Sequence, residues 1–140
     1  MVEQALERTE PMSLRARVLT TLLRFAERGE RVFASIKANE LPYIQIANVI
    51  EVRDMTRKEQ QWVTGLLRDE VPPPEVEKRL LLYRQMLAVT EAASMMALAY
   101  IGSDKEDSPE AQWWARRAGA LVPTLLGVAP EMMALPADKA

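Results

Sequence analysis

The sequence predicts an all-α fold, a single-domain helical bundle with one long central helix. Three observations carry that expectation. Apolar residues recur at the 3.6-residue period, helix start and stop signals bracket the periodic runs, and the stretch from Met86 to Ile101 is apolar in almost every direction around a helical wheel. At 140 residues the chain is one ordinary domain, and 49% hydrophobic with 27% charged residues is the composition of a chain that buries a core.

Residues 1–12 are expected to form an N-terminal arm, 13–135 the helical domain and 136–140 a C-terminal tail. Ser13 precedes a run in which Leu14, Val18, Leu22 and Phe25 share one side of a helix, and Gly29 is placed to close it, so the first helix is expected over Leu14 to Arg28. Thr56 and Glu59 have the spacing of a capping box and predict a second helix near Arg57 to Asp69, stopped before Val71-Pro72-Pro73-Pro74. The last of these prolines suits the start of the next helix, which then meets no breaker until Gly102. Ser108-Pro109-Glu110 reads as cap, first-turn proline and first-turn acid of a final helix reaching about Leu126, with Gly127 as its stop and Pro123 as a kink or early end.

Residues 31–52 fit two patterns. Val32, Ala34 and Ile36 share a parity, as do Ile44, Ile46, Ile50 and Val52, which would make a short β-hairpin around Asn39 to Pro42. Tyr43, Ile46, Ala47 and Ile50 also follow the i, i+3, i+4, i+7 rule. Two short helices are the expectation, because every other segment is helical and a lone hairpin is marginal in water.

The chain contains neither histidine nor cysteine. That removes the usual near-neutral proton shuttle, the thiolate nucleophile and most zinc ligands, and with them disulfides and the Glu-x-x-His pattern of di-metal bundles. The remaining acids cluster in connectors or at helix ends, where solvated carboxylates are the default. Glu91 alone interrupts the most apolar stretch, and Arg116 or Arg117 is its expected partner. No enzymatic activity, cofactor or metal is expected. The N-terminus lacks the pattern of a signal peptide, and the apolar stretch, at 16 residues with an acid inside, falls short of a membrane span. A cytoplasmic protein without membrane partners is the expectation.

A helix apolar on all sides needs covering, and a chain this small has few helices to supply. Ala93 and Ala97 are therefore candidates for a subunit contact, with Trp113 and Trp114, about 100° apart on a helix, and the tail residues Met132, Met133 and Leu135 as a second candidate patch. Charge is uneven as well. The formal net charge is −2, yet residues 13–37 carry a local excess of +4, with Arg17, Arg24, Arg28 and Arg31 on one side of the wheel as candidates for phosphate or acidic-partner contacts.

Residues 31–54 loosely resemble a helix-turn-helix, with a turn at Asn39-Glu40-Leu41-Pro42 and a reading helix from Tyr43 to Val52 that offers Gln45 and Asn48. The turn lacks glycine, and the reading helix has no basic residue before Arg53. The resemblance implies a DNA-binding regulator using segment 15–37 and helix 43–52. The first expectation is different: a non-enzymatic, homo-oligomeric adaptor, assembly factor or regulator that binds a protein partner, of the kind common among bacterial and phage accessory factors. Nucleic acid is the lesser expectation.

Overall fold

Ser13 starts the first helix as its position predicts: its hydroxyl accepts from the Ala16 amide at 3.1 Å, satisfying one of the donors that a helix start leaves free. In the computed structural model, which describes residues 12–38, 40–100, 109 and 122–137, this helix (α1) spans Leu14–Lys37. Gly29 does not close it. A Cβ at Gly29 would lie 2.7 Å from Cγ1 and 2.8 Å from Cβ of Val122, so the glycine lets a distant segment touch the α1 backbone. The expected stop is corrected on that ground.

The described residues of 31–52 form no strand. Val32 to Ile36 continue α1, and Tyr43 to Val52 open α2, which spans Pro42–Glu70 with a proline in its first turn. The two short helices and the alternative hairpin are thus replaced by a turn between two long helices, each of which has a neighbour to bury its apolar stripe against. Thr56 and Glu59 lie in the middle of α2 and not at its start. The Thr56 hydroxyl donates to the carbonyl of Arg53 at 2.6 Å, and the Glu59 carboxylate serves a tertiary contact described below.

α2 ends at Glu70, followed by Val71 in the left-handed region (φ 43°) and the prolines. α3 spans Pro74–Tyr100 and begins within a residue of the expected start; the expected stop at Gly102 lies outside the described residues. Residues 122–126 are helical and Gly127 begins a turn, as its position predicted. A single helical turn, α4, follows at Ala129–Met132. The expected Ser108 cap and Arg116 and Arg117 lie outside the described residues.

Cross-helix contacts fix the topology. Arg17 reaches Glu59 and Arg28 reaches Glu51, so α1 and α2 are antiparallel. Arg84 donates to Thr64 and Arg57 to Glu91, so α2 and α3 are antiparallel too. The segment 122–137 returns along α1: Val122 sits at Gly29, while the Arg15 amide donates to the Pro136 carbonyl at 3.3 Å. Arg79 on α3 faces Glu131 at 3.7 Å and ties the same segment to α3. Among the described residues the path is the up-down-up-down course of a helical bundle, an all-α fold with helices of 24, 29 and 27 residues and not a single long one. Val18, Leu22, Phe25, Val63, Leu80, Tyr83, Leu87, Leu125 and Met132 meet in its core. Among the described residues no helix is long and apolar enough to cross a membrane.

Candidate functional site

α3 turns Leu80, Tyr83, Leu87, Thr90, Ser94 and Ala97 into the core. The two hydroxyls are satisfied within the helix, Thr90 donating to the Met86 carbonyl and Ser94 to that of Thr90. The opposite side is exposed at 81, 82, 85, 88, 89, 92, 95, 96 and 99. Those positions repeat every seven residues, the 3.5-residue seam of a coiled coil, and none of them is charged. Leu81 is 39% exposed, Val89 43%, Met95 47% and Met96 37%. An outward helix face normally carries charge; this one carries none over about 27 Å of helix.

The surface beside this row is uneven. A hollow of about 630 Å³ opens beside Leu81 and Leu82, with Lys78, Gln85 and Glu131 on its walls. A second, of about 460 Å³, lies on the α2 side of Leu81 between Gln60, Thr64 and Arg84. Farther along, Met95 and Met96 stand exposed. Glu91 borders the row, and among the described residues its partners are Arg57 and Gln60 of α2; Arg116 and Arg117, the partners expected, lie outside the described residues. The Arg57 hydrogen bond first, and that from Gln60 second, hold its carboxyl below the ordinary glutamate range.

The arginines of α1 do not form a free ridge. Arg17 turns into the protein, where its guanidinium donates two hydrogen bonds of 2.9 Å to the Glu59 carboxylate, bonds the Thr21 hydroxyl and stacks 3.9 Å from the centre of the Trp62 ring. Glu59 accepts a third bond, of 2.6 Å, from the buried hydroxyl of Tyr83 on α3. Burial first, then the charge of Glu59, raises the Tyr83 hydroxyl well above the ordinary tyrosine range. Among the described residues this junction of three helices holds the buried carboxylate, Glu59, and the spacing of Thr56 and Glu59 concealed it by imitating a cap. Arg28 is held by Glu51 at 2.9 Å, whereas Arg24 and Arg31 are exposed. Arg24 and Lys58 flank an open groove of about 300 Å³ between α1 and α2.

The helix-turn-helix geometry is corrected as well. Such a motif crosses its helices at a wide angle, but here α1 and α2 lie antiparallel along their length. Gln45, offered as a base-reading residue, is 7% exposed and donates to the Glu40 carbonyl at 2.7 Å. Of the residues expected to meet a partner, Ala93 and Ala97 are buried in the chain itself, beside the exposed row and not on it. Met132 and Leu135 are core residues, and of the tail set only Met133 is exposed. Trp113 and Trp114 lie outside the described residues. Among the described residues no group of three or more acids is placed to hold a metal ion. Compared with protein-family models, curated proteins and solved structures, the chain matches none.

Proposed function

We propose that this protein is a non-enzymatic helical interaction module, an adaptor, assembly factor or regulator, that works by docking a helix of a protein partner along the outer face of α3. The observation that carries the proposal is the uncharged, heptad-spaced row from Leu81 to Ala99, exposed on a helix whose other side is fully used by the core. Apolar side chains left in water at a repeating 3.5-residue spacing gain from a second helix that interleaves with them, and from little else. Of the charged groups that border the row, Glu91 is engaged by Arg57 and Arg84 by Thr64. They are rim and not reaction centre.

The test compares tagged wild type with Val89→Glu, Met96→Glu and, as a control on the far side of the bundle, Leu23→Glu, in affinity capture from native lysate with the mass in solution measured alongside. A partner, another copy included, that is kept by wild type and Leu23→Glu but lost from both α3 variants is the expected result. Equal behaviour of all four chains would overturn the proposal.

A further inference from the structure

The row on α3 differs along its length. Its N-terminal part lies between two hollows, of about 630 and 460 Å³, on either side of Leu81, and its C-terminal part carries the exposed methionines Met95 and Met96. Holes and knobs thus stand on one helix, about 22 Å apart at 1.5 Å per residue. From this we infer that the partner seated on α3 is a second copy of the same chain, its α3 running antiparallel across a two-fold axis between Ala88 and Val89; the inference rests on the docking function proposed above.

The spacing is its own counterpart about that axis. Leu81 of one copy meets Met96 of the other, Leu82 meets Met95, and the small Ala88 lets the two helices approach at the centre. Flexible methionine side chains fill irregular gaps well, and each copy would place its pair into the hollows of the other, as an isologous contact requires. Charge favours the antiparallel course over a parallel one. Parallel helices would set Glu75, Glu77 and Lys78 against themselves and align the two dipoles, whereas the antiparallel pairing lays Lys78 beside Ala99 and opposes the dipoles. Size sets the strength: a seam of about 27 Å between single helices is a small contact, at the weak end of specific interfaces. The contact is therefore expected to be weak and concentration-dependent.

The absence of native cysteine makes the geometry directly testable by single-cysteine variants on the exposed row, with folding checked by circular dichroism. Under mild oxidation Ala88→Cys should link to itself, because it lies at the axis. Leu81→Cys alone and Met96→Cys alone should not, since their copies would be about 22 Å apart against a Cα limit of about 7 Å for a disulfide; mixed together, the two should link. Light scattering over a concentration series should show the wild-type mass doubling, and Val89→Glu should weaken the association at least tenfold. A wild type that stays monomeric throughout, or a Leu81→Cys chain that links to itself as readily as Ala88→Cys, would overturn the inference. Stripe-dependent capture of a different protein by a monomeric chain would overturn the second copy while leaving the docking function in place.

Discussion

α1 and α3 bury one side in the same core, yet their outer faces are of different kinds. α1 presents Arg24, Glu27, Glu30, Arg31 and Lys37 to solvent around the isolated exposed Leu23 and Phe33. From Leu81 onward the fully exposed positions of α3 are all uncharged, with Arg84 and Glu91 partly exposed at the border. The inner sides are reversed: α1 sends a charge inward, Arg17 to Glu59, whereas α3 contributes apolar residues, self-satisfied hydroxyls and the Tyr83 hydroxyl that completes the same junction. Single apolar residues on a charged face are ordinary, but a continuous uncharged row at heptad spacing is a surface suited to another helix. The same chain therefore separates two tasks, with charge fixing the register of its own helices and apolar spacing left outward.

The largest effect is expected at the inward charge. Glu59 is 6% exposed at its side chain and Arg17 about a third exposed, so Glu59→Ala should cost about 3 kcal/mol, the low end for an ion pair that loses one buried partner. Denaturant unfolding measures it, and a loss below about 0.5 kcal/mol, the range of an ordinary surface change, would mean that the junction does not hold α1 to α2. Next in size is the close contact behind α1. An alanine in an open helix position gains up to about 1 kcal/mol over glycine, but Gly29→Ala should lose about 1–2 kcal/mol through overpacking on Val122. Val122→Ala should relieve this only in part, since its own Cβ remains 2.8 Å from the added carbon.

Tyr83→Phe should cost about 1 kcal/mol, the worth of one hydrogen bond from a group that leaves Glu59 still paired to Arg17. It also carries a pH signature. The folded hydroxyl has a raised pKa, so the stability it lends is whole below the ordinary tyrosine value and is lost as pH rises above it, because the unfolded chain can release the proton and the folded chain cannot. Denaturation midpoints measured from about pH 8 to about pH 11, across the ordinary tyrosine pKa of about 10, should fall more steeply for wild type than for Tyr83→Phe. Smallest in stability, and sharpest for the comparison, are the two outer faces themselves. Leu23→Glu on α1 and Val89→Glu on α3 should each shift stability by within about 0.5 kcal/mol, while only the second alters association. Equal association of both would erase the distinction between the faces.

Much of the architecture was legible in residue order. Ser13, the prolines at 72–74 and Gly127 each punctuate the chain where their chemistry requires, because caps, missing amides and turn-permitting residues act within a few positions of themselves. The failures share a cause. Gly29 and the Thr56–Glu59 spacing look like local punctuation but answer to Val122, Arg17 and Tyr83, tens of residues away. The alternation in 31–52 suits either a strand or a helix, and the partner helices settled it.

What the sequence alone determined was the helical class, the absence of histidine and cysteine chemistry, and an α3 whose apolar residues exceed what one buried face can use. Only the tertiary structure decided which of those residues remain outside. Ala93 and Ala97 go inward while Val89, Met95 and Met96 stay exposed, because a helix apolar on all sides has no preferred orientation of its own. Its rotation is set by the neighbours that anchor it, through Glu59 to Tyr83, Arg57 to Glu91 and Arg79 to Glu131.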